Sequence, residues 1–237
     1  MRRQLATGLR VTVALVILLG LAYPFAVWAV GRIAFTYRSD GSFARVNGKI
    51  VGSVLIGQNF SDKNGNPLPQ YFQPRPSAAG ANGYDPTSSG GSNLGPSSLK
   101  LLGQCNPVQD IDANGKPKVD SSGNPVDRLN PDGTRVCDPT TVPQRVIAYR
   151  LLNGLPSDMP VPVDAVTASG SGLDPDISVA NALDQAPRVA RARGLAVDRV
   201  ITLVDAHIDG RAWGFLGEKT VNVLDLNLAL DRLSPSG

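Results

Sequence analysis

The amino-acid sequence predicts a mixed domain, α/β or α+β, held outside a membrane by one N-terminal transmembrane helix. Three observations predict it. Residues 11–30 read VTVALVILLGLAYPFAVWAV without a charge, and at about 1.5 Å per residue they cover the hydrocarbon core of a bilayer. Behind that run, apolar stretches at helical spacing end at Gly154, Gly194 and Gly210, and short β-branched runs lie between and around them. Both cysteines, Cys105 and Cys137, fall in this later part, in a segment dense with turn residues.

The apolar run is read as a retained helix. A cleaved signal peptide needs an apolar region of only about 7–15 residues and a small-residue cleavage site, and only Val27-Trp28-Ala29 faintly resembles one. Pro24 sits inside the span and is expected to kink it. Arg2, Arg3 and Arg10 precede the run, while Arg32, Arg38, Arg45 and Lys49 follow it, so basic residues alone do not orient the helix. A short tail is more easily kept inside than a long domain. The expected organisation is a cytoplasmic tail at 1–10, a transmembrane helix at 11–30 and an extracytoplasmic domain at 31–237. That domain carries a turn-rich insertion at about 104–140.

Charge excludes one class of function. The chain carries 23 basic and 20 acidic residues, and removing the three arginines of the tail leaves the remainder neutral. A neutral domain with 5% aromatic residues has no electrostatic footprint for nucleic acid.

Past the span, residues 32–47 read as a polar connector and 51–57 as a strand. Residues 62–69 are a loop, 71–76 an aromatic and proline-rich stretch, and 78–96 a Gly/Ser/Asn-rich one. Between the cysteines, Asn114-Gly115-Lys116-Pro117, Ser122-Gly123-Asn124-Pro125 and Asn130-Pro131-Asp132-Gly133 punctuate a segment too poor in apolar residues to order itself. A Cys105–Cys137 disulfide at its neck is the expected restraint, and two free thiols are the alternative. Thr141 and Pro143 open a helix that Gly154 closes. Residues 160–167 suit a strand. Asp176 or Ser178 caps a helix to about 186, and a second one runs from Pro187 to Gly194. Another opens at Asp198. A last strand holds Val221 and Val223, and a short final helix or a longer strand follows.

Candidate chemistry is sparse. Asp110-x-Asp112-x-Asn114-Gly115 matches the opening of a calcium loop, but Ser121 stands where that loop needs a bidentate glutamate. His207 is the only histidine; beside Asp205 and Asp209 it has the neighbours of a general base, and at a helix end it also suits a surface position. No metal site is expected. Two glycine-serine loops remain: Ser89, Gly90, Gly91, Ser92 and Asn93 in the first, Ser169, Gly170, Ser171, Gly172 and Asp174 in the second. Backbone N–H groups in such loops form anion-binding nests, and the same residues also serve ordinary tight turns. Neither loop is a Walker A motif or a nucleophile elbow. No catalytic residue is expected.

Several longer motifs occur together and in order: Gly52-Ser-Val-Leu-Ile-Gly-Gln58, Tyr71-Phe-Gln-Pro-Arg-Pro-Ser-Ala78, Ser89-Gly-Gly-Ser-Asn-Leu-Gly-Pro96, and the run from Pro162 to Ser178. Arg188-Val-Ala-Arg-Ala-Arg-Gly-Leu195, Gly214-Phe-Leu-Gly-Glu218 and Val221-Asn-Val-Leu-Asp-Leu-Asn-Leu-Ala-Leu-Asp231 complete the series. Together they resemble the KdpC family, the C subunit of the Kdp potassium-transporting P-type ATPase. The resemblance implies a non-catalytic subunit of a bacterial inner-membrane complex, with a potassium-translocating A subunit, a P-type B subunit and a small F subunit as partners. It implies no cofactor of the chain's own, ATP and potassium being handled by the complex. The chain lacks the Asp-Lys-Thr-Gly-Thr phosphorylation motif of such pumps. The family is also described as a catalytic chaperone that raises the ATP affinity of the B subunit, its two glycine-serine loops being likened to a nucleotide-contacting signature. A domain outside the membrane does not reach a cytoplasmic nucleotide, so packing of the single helix, or action of the outer domain on the ion entrance, is the expected route of coupling. The cysteine-bracketed segment is longer than the family pattern leads one to expect. The alternative from a different class is a membrane-anchored extracytoplasmic module that binds an anion through the two loops.

Overall fold

The structure is a computed structural model that describes residues 1–103, 107–113, 115–122 and 124–233. Its contacts divide the chain into two units, Met1–Leu55 and Ile56–Gly237.

The first unit opens with α1 (Arg2–Ile17), which passes through a π-helical turn (Leu18–Ala22) into α2 (Tyr23–Ala34). The combined helix, Arg2–Ala34, is long and apolar enough to cross a membrane, and none of its apolar window is buried. It extends beyond residues 11–30 at both ends. The expected disturbance at Pro24 takes the form of the π turn before it. Proline has no N–H to give the carbonyl one turn back, and a local shift of hydrogen-bond register accommodates the loss. After α3 (Thr36–Ser39), β1 (Phe43–Val46) and β2 (Lys49–Ser53) form an antiparallel hairpin. Its turn is Asn47-Gly48, both residues left-handed at φ 50° and 79°, as a two-residue hairpin turn demands. The connector expected at 32–47 is thus largely regular structure, and the strand expected at 51–57 lies earlier.

In the second unit, α4 (Leu99–Leu102) precedes the insertion. The described residues of that segment form regular local turns without an apolar core, contrary to expectation. The pattern Asp-x-x-Gly-x-Pro occurs at 62–67, 112–117 and 120–125, and a variant occupies 130–135. Each is flanked by the same six-residue bridge: Ser61 with Pro67, Ile111 with Pro117, Val119 with Pro125, Leu129 with Arg135. In each, the N–H of the first pattern residue donates to the carbonyl of the fifth at 2.8–2.9 Å. Aspartate carboxylates complete the turns: Asp62 Oδ1 accepts from the N–H groups of Asn64 and Asn66, and Asp120 Oδ1 from those of Ser122 and Asn124. Local hydrogen bonds substitute for burial here. Asp112 is committed to such a turn through Lys116 N–H, and Asp110 pairs with Lys118 Nζ at 2.7 Å; Asn114, the third member of the calcium-like pattern, lies outside the described residues. So does Cys105, while Pro107 bridges Cys137 at the neck.

Five helices and one small sheet build the core. α5 (Val142–Asn153) starts at Thr141 and ends at a left-handed Gly154, as read from the sequence, although the Thr141 hydroxyl makes no capping bond. Residues expected as a strand at 160–167 hold instead the short α6 (Val163–Val166). β3 (Asp176–Ser178) leads into α7 (Val179–Arg193), one continuous helix that contains Pro187, where two helices were expected. Ser178 is its cap: the hydroxyl accepts from Asn181 N–H at 3.1 Å and donates to Asp164 Oδ1 at 2.7 Å. α8 (Val197–Ala206), β4 (Ile208–Asp209), β5 (Thr220–Asn222) and α9 (Val223–Leu233) follow. The sheet is antiparallel throughout, in the order β3-β5-β4. Its buried Ile177 and Val221 join Ala182, Ala186 and Val189 of α7, Val200 and Val204 of α8, Leu226 and Leu230 of α9, and Phe72 from the extended stretch. The mixture of helix and sheet agrees with the expected class.

Two side-chain amides hold that extended stretch as a neighbouring strand would. Asn227 accepts from Phe72 N–H at 2.9 Å and donates to its carbonyl at 3.0 Å. Gln185 does the same for Gln73, at 2.7 and 3.1 Å. Buried backbone groups need such partners, and these two bring 71–78 across the domain to the second glycine-serine loop.

Candidate functional site

The two glycine-serine loops lie more than seventy residues apart in sequence and are joined backbone to backbone. Gly90 N–H donates to the Ser171 carbonyl at 2.9 Å, and the Ser89 hydroxyl donates to the same oxygen at 2.9 Å. A Cβ on Gly91 would stand 2.9 Å from the Gly170 carbonyl oxygen. At the buried Gly172, left-handed at φ +70°, it would stand 2.5 Å from Ala79 Cβ and 2.6 Å from the Gly90 oxygen. The glycines are present because two main chains touch here.

A third and a fourth segment close the junction. Ser77 Oγ donates to the Gly172 carbonyl at 2.7 Å, and Ser169 N–H donates to Pro76 O at 2.9 Å. Gly57 N–H donates to Leu173 O at 2.9 Å, and a Cβ on Gly57 would meet Tyr84 Cε1 at 2.4 Å. Asp174 pairs with Arg75 Nη1 at 2.8 Å. Beneath them the Tyr84 hydroxyl donates to Arg75 O at 2.9 Å; burial first, and then the Asp174 carboxylate, push its pKa well above the ordinary phenol value. Tyr84 itself is left-handed at φ 57°, a conformation uncommon for a bulky residue. Nothing in the sequence singles out Gly57, Ser77 or Tyr84 as part of a site. A Gly-Tyr-Asp stretch among turn residues gives no sign that its tyrosine is buried.

Several amides of the second loop are engaged internally. Leu173 N–H donates to Ser171 Oγ at 3.1 Å, and Asp174 N–H to Ser169 Oγ at 3.3 Å. Ser169 is buried, whereas Ser89, Ser92, Asn93, Gly170 and Ser171 are exposed on the outer rim of the junction. Chemically the arrangement is a clasp with a polar exposed lip.

Beside the clasp is a cleft of about 570 Å³ whose lining includes Gln73, Arg75, Tyr84, Arg145, Tyr149 and Gln185. Arg75 Nε is buried there without a hydrogen-bond partner among the described residues. Arg145 donates to Val166 O at 3.1 Å, and burial lowers its pKa from the ordinary guanidinium value. The Tyr149 hydroxyl donates to Asn181 Oδ1 at 3.0 Å, and burial, with Asp184 and Asp164 beyond it, raises its pKa. His207 lies elsewhere, its Nδ1 2.8 Å from Leu203 O at the end of α8. Among the described residues no group of three or more His, Cys, Asp or Glu side chains is placed to hold a metal ion.

The far side of the junction is acidic. Burial raises the Asp176 pKa, and Asp174, Asp209 and Asp225 add repulsion, while Asn222 Nδ2 donates to Asp176 Oδ1 at 3.1 Å. A carboxyl whose folded pKa is raised binds its proton more tightly in the folded chain, so stability falls as pH rises from the ordinary carboxylate range through the raised value. Asp176→Asn keeps an acceptor for Asn222 and removes that titration. Its urea midpoint is expected to lie above the parent's at neutral pH, with the difference vanishing in acid; a difference that is constant with pH would assign the effect to something other than Asp176 ionisation.

Comparison with known proteins bears on the same residues. A family model described as "KdpC: K+-transporting ATPase, c chain" matches residues 5–134 and 138–232, which include the apolar run 11–30, most of the insertion and both loops. A potassium-transporting ATPase KdpC subunit of Mycobacterium tuberculosis is 44% identical over 233 residues, 98% of this chain and 100% of the relative. One from Kineococcus radiotolerans is 46% identical over 98% of this chain and 95% of its own, and one from Myxococcus xanthus 43% identical over 95% and 86%. Likeness of this extent runs through the N-terminal apolar helix, the clasp and the core alike: the chain belongs to the KdpC family, the c chain of K+-transporting ATPases.

Proposed function

We propose that this chain is the non-catalytic accessory subunit of an ATP-driven potassium import complex. In that complex it assembles with a potassium-translocating A subunit, a P-type B subunit and a small F subunit, and it raises the ATP affinity of the B subunit. The observation that carries this reading is the near full-length likeness to proteins named as KdpC subunits of potassium-transporting ATPases. The helix Arg2–Ala34 serves as the single anchor in the bacterial cell membrane, with the N-terminus cytoplasmic and the second unit outside. ATP and potassium are bound by the complex, and this chain holds no cofactor of its own.

On this reading the glycine-serine loops contact a subunit rather than a nucleotide. The amides of Gly90, Gly172, Leu173 and Asp174 and the hydroxyls of Ser89, Ser169 and Ser171 are engaged within the clasp, whereas a phosphate cradle presents its N–H groups outward. The test is purification of the tagged chain from mildly solubilised membranes of potassium-starved cells. Recovery together with a P-type ATPase and a multispanning potassium subunit is expected. Recovery alone would favour the second reading, a membrane-anchored module outside the cell that takes an anion in the cleft beside Arg75 Nε and Arg145.

The Cys105–Cys137 disulfide is proposed with the same topology, since it requires an oxidising compartment. Serine at both positions is expected to loosen the insertion by about 3 kcal/mol and to leave potassium uptake intact, because the turns of the insertion close by their own local bonds. Loss of uptake, measured in potassium-limited medium, would give the insertion a contact of its own.

A further inference from the structure

The hairpin of β4 and β5 projects a tip at residues 211–219 in which every residue is exposed. It reads Arg-Ala-Trp-Gly-Phe-Leu-Gly-Glu-Lys, with Trp213 87%, Phe215 71% and Leu216 51% exposed. Single exposed apolar residues need no explanation, but three large ones within four positions do. The tip is also fixed in shape. Ala212 N–H donates to Leu216 O at 2.9 Å and Leu216 N–H to Ala212 O at 3.0 Å, Gly214 N–H donates to Arg211 O at 3.0 Å, and Arg211 pairs with Glu218 at 2.8 Å. Within it Trp213 is left-handed at φ +53°, which for a bulky side chain costs about 1–3 kcal/mol and returns no burial inside the domain.

Three physical arguments identify the occupant. Asp209, Arg211, Glu218 and Lys219 balance in charge, whereas segments that settle on a bilayer surface carry a basic excess. A bilayer accepts an aromatic side chain in many orientations, while a fixed, strained one matches a recess of complementary shape. Trp213, Phe215 and Leu216 together offer roughly 500 Å², short of the approximately 800 Å² per partner of a self-sufficient interface. The tip therefore suits a partner that a common membrane already holds nearby, where effective concentration supplies what area does not. We infer that residues 212–216 seat Trp213 and Phe215 in an uncharged apolar recess on the outer face of a membrane-embedded subunit of the same complex. This rests on the subunit reading above.

The test uses the full chain co-expressed with its complex. Trp213→Asn removes the ring with a residue that tolerates the left-handed conformation, and Phe215→Ser removes the second anchor. Since both side chains are exposed, each variant is expected to melt with the parent by far-ultraviolet circular dichroism, while recovery of the multispanning subunit with the tagged chain falls about tenfold or more. A photo-crosslinking residue at 213 is expected to join that subunit, identified by mass. Undiminished recovery in both variants, or a crosslink only to lipid or to a second copy of this chain, overturns the proposal and leaves the subunit reading standing. Failure of the parent chain to recover any subunit removes the subunit reading and this proposal with it.

Discussion

Gly172→Ala is expected to destabilise the second unit by about 3 kcal/mol or more and to abolish potassium uptake. Two costs add. Gly172 is left-handed at φ +70°, and its missing Cβ would stand 2.5 Å from Ala79 Cβ and 2.6 Å from Gly90 O. Neither neighbour is the free end of a flexible side chain, so the two loops must part and give up the bonds from Gly90 N–H and Ser89 Oγ to Ser171 O. Gly154 supplies the control. It is left-handed at φ +67° with nothing within 4 Å of where a Cβ would be, so Gly154→Ala carries the conformational cost of about 1 kcal/mol and no steric one. The difference between the two urea midpoints, followed by circular dichroism on the purified chain, isolates the contact between the loops. Equal midpoints would mean that the clasp is not closed in solution. Loss of uptake by Gly172→Ala alone ties the clasp, rather than backbone strain in general, to potassium uptake.

What the sequence disclosed followed from local chemistry. An uncharged run shows through composition, and Gly154 and Gly194 show through the left-handed position that ends a helix. Of the two caps the sequence offers, Asp176 and Ser178, the hydroxyl of Ser178 takes the position. Errors fell where tertiary packing overrides local preference. Pro187 predicts a break between two helices, yet α7 continues through it because Ala186, Val189 and Ala190 on either side are wholly buried. Residues 160–167 alternate like a strand, but Val163–Val166 turns into a helix that sets Asp164 against the start of α7, where it accepts from Ser178 N–H and Asn181 Nδ2. Asn47-Gly48 is a local hairpin signal inside what otherwise reads as a polar connector. The candidate loops were visible as glycine-serine clusters; that they meet was not, because Gly90 and Ser171 are brought together only by the path of 71–78. That path depends on Gln185 and Asn227, buried polar residues that no periodicity marks as partners of a backbone.

Arg188→Met is expected to cost up to about 3 kcal/mol, and its sign is less obvious than that of Gly172→Ala. Arg188 is 5% exposed, and no carboxylate forms an ion pair with it among the described residues. Burial depresses its pKa to about 10. Burying an uncompensated charge is costly, and exchanging buried charges for apolar residues often stabilises a protein. Against this stand its acceptors: Asn153 Oδ1 at 2.9 Å, Pro69 O at 2.6 Å, Tyr71 O at 3.0 Å and Gln185 Oε1 at 2.8 Å. Gln185 Oε1 also accepts from Gln73 N–H, and Tyr71 O from Gln73 Nε2. Two acceptors, Pro69 O and Asn153 Oδ1, are thus the ones that depend on the guanidinium; the exposed Pro69 can turn to water, whereas the amide of Asn153, 3% exposed, costs about 1–3 kcal/mol when stranded. They lie on different segments, one ahead of the extended stretch and one at the end of α5, so methionine cannot relax toward both. The stranded amide outweighs relieved charge, and the variant loses stability. Because the interactions are with neutral groups, the loss should not change between low and high salt; a salt-dependent loss would point to an acidic partner, and a gain in stability would mean that desolvation dominates. Arg188→Lys supplies one compact ammonium for a forked set of acceptors and should fall between the parent and methionine. Asn153 and Gln185 also line the cleft beside the clasp, so the same substitution should loosen the wall that holds Tyr149 and weaken any ligand or subunit segment seated there.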